Sequence, residues 1–504
     1  MTARRTDPPG GDAATAGIGK SGWVVIGALM LATVLANTAS VCMFPQIVAL
    51  SEEFGRPVNE VVWTMAGFYV VATGVGGVAA ALGAIVGNRR MLTIALSLLF
   101  VGCLLAALST NLSVLVTARV IQGVSLAVQA LSVGIVANYW RGENLRRAMS
   151  MIVLAMGLGA VIAYLLSGLI WRSGGDWRTM FWILTAASAI DLVLTVVFIK
   201  ETKRFKGVRV DYAGCFGLVI WSVLLLVPLS QANSWGWGST RLLGMLLPGV
   251  VVLVLWVLWE VRRAAPLVNL RVLKQTGGWQ GGVVWMVIAL SLLVPAAAVP
   301  YLFQTPVASG FGFGQSMWVV SLALALPALV MSLVSPLASS VMRRLGAKRT
   351  MLLGVVFSLF SFGLAFAHGS IWATLLWMAV IGIGPGLGGP ASYAVSAEAV
   401  APERGIQVST IYNTITGTGC TIAAAVVGYV LTIRQVAVDV TTPAGIQTQL
   451  FPANETFTWS ALIIGVAGLA GLACVLSIRT SSLRADPYHG GAGPASTDRG
   501  ARTS

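Results

Sequence analysis

The chain has 504 residues, of which 57% are hydrophobic and only 10% charged, and its mean hydropathy is +0.86. That balance excludes a soluble globular domain and a disordered chain. The formal net charge of +15 would suggest nucleic acid in a soluble protein, but most of the 32 Lys and Arg fall in segments that share one side of a membrane under the topology given next. The excess is therefore a positive-inside signal, with contact to anionic lipid as a lesser role and no nucleic acid expected.

A polar N-terminal tail, 1–22, precedes an apolar run too long for a secretory signal, so the first span is expected to stay as an anchor. Uncharged runs near the ~20 residues that an α-helix needs to cross the hydrocarbon predict spans over 23–50, 61–86, 91–108, 113–138, 148–171 and 178–199, an N-terminal six-helix bundle across 23–199. Two more spans, 213–230 and 242–259, lie in an inserted segment, 200–278, with cytoplasmic linkers. A C-terminal six-helix bundle across 279–478 follows, with spans over 279–303, 316–341, 350–367, 371–395, 407–433 and 459–478. The tail 479–504 is expected to be disordered. The predicted fold is an all-α integral membrane protein of fourteen transmembrane helices, with both termini cytoplasmic and the chain a multi-pass protein of the inner membrane.

The two bundles repeat one another at an offset of 259 residues. Gly87, Arg90, Leu105, Ala106 and Gly123 meet Gly346, Arg349, Leu364, Ala365 and Gly382, and Arg89 faces Lys348. Small and apolar identities are common in membrane helices, so the aligned basic turns carry the weight. Repeated halves are how many transporters build a central site that opens to either side.

Several segments in order give the chain a family resemblance. Arg119-Val-Ile-Gln122-Gly123 resembles an RxxQG element in the fourth span, and Asp176-Trp177-Arg178 with Phe181 resembles an SWRWxF outer turn. Pro266-Leu-Val-Asn-Leu-Arg-Val-Leu-Lys274 resembles a PLxxLxLF segment, and Leu345-Gly346-Ala347-Lys348-Arg349 the second copy of a cytoplasmic loop motif. Over roughly 23–478 the chain is similar to the major facilitator superfamily, and within it to the fourteen-span drug:proton antiporter type. The resemblance implies two six-helix pseudo-repeat bundles plus two inserted helices, and export of small amphipathic compounds against inward proton flow. The departures bear on coupling. The first span, Leu35 to Pro45, lacks the family's acidic residue, Ala84 stands where the first loop motif usually has Asp, and Ala163-Tyr164-Leu165-Leu166-Ser167-Gly168 has lost the proline and most glycines of the antiporter motif.

Arg119 lies about two turns inside the fourth span, where a charge costs at least ~2.5 kcal/mol on insertion scales. It is read as a cavity cation that relays protons or binds an anionic group, or as a structural arginine satisfied by backbone carbonyls. Asp191 is the only acid well inside a span. It is read either as the carboxylate that loads and unloads a coupling proton or as a solvated group near the cytoplasmic end beside Lys200. Asn37, Gln122, Gln129, Gln304, Tyr393 and Asn413 are uncharged hydrogen-bonding residues on spans, some of which must face the interior. Asn37 and Gln122 rank highest as cavity lining. Trp63 and Tyr69 offer an aromatic surface to a solute or act as interface anchors.

The loop residues Gly87, Arg89, Arg90, Gly346, Lys348 and Arg349 are expected to control conformation. Gly384 and Pro385, in a Gly/Pro-rich run of the twelfth span, suit either a flexing helix or close packing without motion. Glu398, Glu403 and Arg404 read as a solvated ion-pair face, His368 as an outer-loop residue, and His489 as part of the tail. The five cysteines read as small buried hydrophobes without metal-ligand spacing. Gly17-Ile-Gly19-Lys20-Ser21 lacks the upstream glycine of a phosphate-binding loop, which speaks against ATP. No cofactor, metal or enzymatic activity is expected. The expected partners are a small-molecule substrate, protons and the lipid bilayer, with the protein a monomer. The rival readings are a lipid, glycolipid or neutral or anionic metabolite carrier with atypical or no proton coupling, and a non-transporting membrane scaffold.

Overall fold

The computed structural model describes residues 20–56, 58–140, 142–201, 211–263, 266, 278–363, 369–398, 415, 418–419, 430, 433–442 and 445–478. Asn413, Glu403, Arg404, His368, His489 and most of the 407–433 span lie outside these residues. In hydrocarbon a backbone must satisfy its own hydrogen bonds, and the uncharged runs accordingly form helices. The first half comprises α1 (Lys20–Val41), the short α2 (Ile47–Phe54) and α3 (Val58–Val61), α4 (Trp63–Val86), α5 (Asn88–Ala107), α6 (Leu112–Gly123), α7 (Ala127–Tyr139), α8 (Gly142–Arg172) and α9 (Arg178–Phe198). A 3-10 turn, Val124–Leu126, joins α6 to α7 in one crossing. The inserted segment holds α10 (Tyr212–Ser230), the short α11 (Ala232–Trp235) and α12 (Thr240–Arg262). The second half holds α13 (Gly278–Gln304), α14 (Met317–Leu345), α15 (Ala347–Leu359), α16 (Ile371–Ile381), α17 (Ile383–Glu398) and α18 (Asn454–Ser477).

Eleven helical segments among the described residues are long and apolar enough to cross a membrane. The helix α4 contributes 24 further residues with no charged side chain. Polar turns start the helices sharply. Asn111, Asp211 and Ser239 accept at their side-chain oxygens from the amides of Val114, Gly214 and Leu242, at 2.9, 3.0 and 3.2 Å.

The described residues are helical, as expected, apart from one short hairpin. Strands β1 (Gln435–Thr442) and β2 (Gly445–Pro452) form an antiparallel hairpin just before α18, with Gln435 opposite Pro452. Gln-Val-Ala-Val-Asp-Val-Thr-Thr alternates apolar and polar residues with a period of two, the pattern of a strand.

The repeat is visible in geometry. Gly87 and Gly346, with φ of 113° and 81°, each end one helix and begin the next, a backbone conformation that side-chain-bearing residues rarely adopt. Behind them the Arg89 guanidinium donates to the carbonyl of Val196 near the end of α9, and the Lys348 ammonium donates to the carbonyl of Ile478 at the end of α18. Gly123 and Gly382 both sit at breaks in their crossings, and a Cβ on them would lie 2.4 and 2.3 Å from the carbonyls of Phe68 and Pro327. Phe68 and Pro327 are themselves one repeat offset apart.

We call the side on which α1 begins proximal and the other distal. The longest contact between the halves is α8 along α14. A Cβ at Gly157 would lie 2.1 Å from Ser332 Oγ, and one at Gly168 would lie 2.6 Å from Ser321 Cβ, so these helices approach on hydrogen atoms alone. Toward the distal face a single apolar core joins the halves. It takes Met43, Phe44 and Phe181 from the first half and Leu302, Phe303 and Leu324 from the second. The inserted pair packs on α4 through α10, where Gly74 meets the backbone of Val219. Substituting Gly157→Val should force the α8–α14 crossing apart and cost on the order of 1–3 kcal/mol by overpacking. Combining it with Ser332→Ala should recover part of that loss in detergent melting curves. Strict additivity of the two changes would show that the pair is not in contact.

Candidate functional site

Between the halves, beside the α8–α14 crossing, lies a cavity of about 190 Å³. A single water needs only ~10–15 Å³, so the space is large enough for a solute or a chain of waters. Its walls come from α1 (Asn37, Ser40), α4 (Tyr69, Ala72), α7 (Gln129) and α8 (Met156, Tyr164) on one side, and from α13 (Trp285, Ala296), α14 (Leu324, Met331) and α16 (Met378) on the other. Among the described residues, none of those lining it is charged. Asn37 donates to the Thr33 carbonyl at 3.1 Å, Tyr69 donates to the Ser40 carbonyl at 3.3 Å, and Trp285 stacks obliquely on Tyr393 at 6.0 Å between centroids.

These contacts lock the polar lining while the methionines remain adaptable. Methionine has three rotatable bonds and a polarizable sulfur that favours aromatic rings. The cavity therefore combines three thioethers, three aromatic rings and two amides, a surface suited to a flat or irregular apolar body with a few hydrogen-bonding groups.

Of the residues singled out from sequence, Asn37, Tyr69 and Gln129 line this cavity. Tyr393 lies just behind it against Trp285. Gln122 is fully buried but turned away from the cavity, accepting from Arg119. Trp63 begins α4 at the distal end and Gln304 ends α13; both are half-buried and neither lines the cavity. Tyr164 and Trp285 were not singled out. Tyr164 stood in the stretch read as a degraded motif, and Trp285 was one of 17 tryptophans with nothing local to distinguish it.

Arg119 is fully buried and also outside the lining. Its Nε donates to the Thr64 carbonyl at 3.0 Å and its Nη1 to the Ala39 carbonyl at 2.7 Å and to Gln122 Oε1. The guanidinium lies 4.6 Å from the Phe68 ring centroid. The Ala39 carbonyl belongs to the last turn of α1, where carbonyls lack helical donors and the helix dipole favours a cation. Hydrogen bonds from a charged group contribute roughly 1.5–3 kcal/mol each, so three of them together exceed the ~2.5–3.5 kcal/mol insertion cost. That is why Arg119 sits here without a carboxylate. Geometrically it clamps α1, α4 and α6 together.

Asp191 is fully buried, which excludes the solvated position beside Lys200. It lies on the inward stripe of α9 with Thr185, Ser188 and Thr195, against α5 and α1. Neither carboxylate oxygen has a hydrogen-bond partner, nor does Thr195 Oγ1.

The loop residues have specific contacts. Glu201 carries its carboxylate over Gly87, where a Cβ would be only 2.3 Å from Glu201 Oε1, and pairs with Arg90 at 3.5 Å. Glu201, just beyond α9, thus places a carboxylate at this loop. Arg349 is exposed. Gly384 packs on Ser358 and Pro385 is buried just after the break at Gly382. Across that run, Gly382 and Gly386 face α14, Gly384 and Gly388 face α15, and Gly389 faces Trp285 of α13, which makes the run a close-packed junction.

The chain belongs to the Major Facilitator Superfamily, whose sequence profile matches residues 29–321 and 282–499. Among characterised or named relatives, the multidrug resistance protein Stp of Mycobacterium tuberculosis is 27% identical over 362 residues, covering 70% of this chain and 65% of Stp. The riboflavin transporter RibZ of Clostridioides difficile is 22% identical over 378 residues, covering 73% of this chain and 79% of RibZ. In fold, the human organic anion transporter MFSD10 superposes with a TM-score of 0.62 at 14% identity, over 91% of this chain and all of MFSD10. The protein is a multi-pass membrane transporter of this superfamily.

The clamp reading of Arg119 has a direct consequence. Arg119→Leu should lower the melting temperature in detergent by several degrees, because it takes the charged donor from the Thr64 and Ala39 carbonyls and leaves Gln122 Oε1 without its donor, at roughly 1–3 kcal/mol each. Arg119→Lys should not restore it, since one ammonium cannot copy the planar fork that reaches Thr64 and Ala39 together. A lysine variant as stable as the native protein would refute the clamp.

Proposed function

We propose that this transporter exports small amphipathic compounds with an aromatic body, such as drugs, antibiotics or secondary metabolites, by alternating access driven by inward proton flow. One observation carries the reading: the cavity is shared between the halves and walled by Tyr69, Tyr164, Trp285 and three methionines, with amides rather than charges as its polar groups. Rocking of the halves along α8 and α14 would expose that cavity to each side in turn. With the distal face taken as the outer one, the distal core that joins the halves supports a state closed to the outside. The name of Stp is in keeping with this class of solute. We further propose fourteen spans, with the proximal face cytoplasmic because Arg89, Arg90, Lys200, Arg262, Arg343, Arg344 and Lys348 gather there. The protein acts as a monomer in the inner membrane.

Proton coupling falls to Asp191. It is a carboxylate removed from water, with no protein donor, on a helix that packs against the first span and ends at the Glu201–Arg90 loop. Taking up and releasing a proton there changes the charge buried between α9, α5 and α1, which gives the halves a reason to move.

A second reading, a carrier of neutral metabolites without proton coupling, is favoured by the uncharged lining itself and by the name of RibZ. One reconstitution separates the two. In proteoliposomes with a pH gradient and a panel of aromatic amphiphiles, the native protein should show solute-induced proton flux and Asp191→Asn should lose it at least tenfold while still exchanging solute. Tyr164→Ala should reduce both fluxes. Undiminished proton flux in Asp191→Asn would rule out this residue as the coupler, and solute movement with no proton flux in the native protein would establish the second reading.

A further inference from the structure

The polar groups on the wall of the central cavity differ in what they have left to offer a solute. The Asn37 amide spends an N–H on the Thr33 carbonyl, Ser40 Oγ donates to the Asn37 carbonyl at 2.8 Å, and the Tyr69 hydroxyl donates to the Ser40 carbonyl. The Tyr164 hydroxyl offers a single atom.

Gln129 is in a different position. It lines the cavity from the first turn of α7, just past the 3-10 stretch Val124–Leu126, and it is 9% exposed. The helix α7 packs against α1, α4, α5 and α8, so the surface that Gln129 keeps is cavity surface. Among the described residues its side-chain amide makes no hydrogen bond. The flanking polar residues of the same helical crossing do not serve it either: Ser125 and Ser132 are fully buried, and their hydroxyls, sealed in the packing, make no hydrogen bond. The Gln129 amide atoms are not sealed in this way.

A carboxamide without partners in an apolar enclosure is unfavourable until a donor and an acceptor are supplied together. Its oxygen and nitrogen lie side by side in one plane. Rotation about the terminal bond exchanges them, so a ring edge that carries N–H next to C=O meets the pair in either sense. A lone hydroxyl or ring nitrogen satisfies only half of it. The rest of the lining sets the body to which that edge belongs. It is flat, because Tyr69, Tyr164 and Trp285 present rings, and neutral, because none of the described lining residues is charged.

We infer that Gln129 is the specificity-determining residue of the central cavity, and that its preferred solutes are neutral, planar heteroaromatic lactams and imides held by a two-point hydrogen bond to the Gln129 amide. The inference rests on the reading of this cavity as the solute site. It does not depend on proton coupling or on the direction of transport, because it concerns equilibrium binding.

The test uses purified full-length protein in lipid nanodiscs, with calorimetric titrations corrected against empty nanodiscs. The probes are carbostyril, a bicyclic lactam, and coumarin, in which a ring oxygen replaces the N–H with almost no change of shape. Against coumarin the Gln129 oxygen meets a lone pair instead of a donor, so the native protein should bind carbostyril about tenfold more tightly, the ratio being held down by water that enters to compensate. Gln129→Met keeps the volume and removes both polar atoms; it should bring the two probes to within about twofold of each other without weakening coumarin. Gln304→Met, the same change at a half-buried glutamine outside the cavity, should leave the preference intact. Tyr164→Ala should weaken both probes in parallel. Size-exclusion profiles and melting curves confirm that each variant is folded, and the comparison of the two probes on the native protein needs no variant. Equal binding of the probes by the native protein, or a lactam preference that survives Gln129→Met, would overturn the inference, while parallel loss in Tyr164→Ala would still uphold the cavity as the solute site. Indifference of both probes to Tyr164→Ala would overturn the two together.

Discussion

The approach of α8 to α14 is the contact on which the rest of the arrangement depends. In hydrocarbon there is no hydrophobic effect to press two helices together, so association rests on close packing and on hydrogen bonds. Gly157 and Gly168 provide the closeness, because any side chain there would strike Ser332 or Ser321. This single seam fixes how far apart the halves stand, and the central cavity is the space left beside it, with Gly157, Ala328 and Met331 forming part of its wall. A seam built on small residues is also one along which helices can tilt without breaking interlocked side chains.

A division of electrostatic labour follows from the same economy. The buried cation, Arg119, is used to fasten the distal ends of α1 and α4 to α6, and the buried acid, Asp191, stands on the far side of the first bundle. Neither lines the central cavity, whose walls present polarizable sulfur, aromatic faces and amides. Charges that do contact solvent are gathered at the two rims. Glu201 with Arg90 lies at the proximal loop, and Glu53 and Asp176 with Arg178 lie at the distal one. A solute moving through the protein would meet an uncharged interior between charged ends.

Much of this was legible in the sequence. Span positions follow from the length of uncharged runs, and the repeat offset matched the glycines and basic residues that the structure places in equivalent turns, Gly87 with Gly346 and Arg89 with Lys348. Asn37 and Gln129 could be picked out because a polar group on an apolar span must face inward, and Tyr69 because an aromatic ring on the second span can offer a surface to a solute. The remainder depends on tertiary proximity. Nothing near Trp285 or Tyr164 in sequence announces that they line one cavity from opposite halves, and Glu201 reaches the Gly87–Arg90 loop across more than a hundred residues. Arg119 was recognised as unusual, but whether its partners would be a solute or the carbonyls of Ala39 and Thr64 was a question of where three helix ends meet. The hairpin of β1 and β2 escaped because attention to span-length apolar runs passes over short alternating stretches.

The central claim is that the solute rests between the halves among uncharged aromatic, thioether and amide groups. Cryo-electron microscopy of the protein in nanodiscs with a transported aromatic amphiphile measures this directly. The account predicts ligand density bounded by Asn37, Tyr69, Gln129, Tyr164 and Trp285. Density confined to the inserted α10–α12 pair, or to the Asp191 stripe within the first bundle, would contradict it.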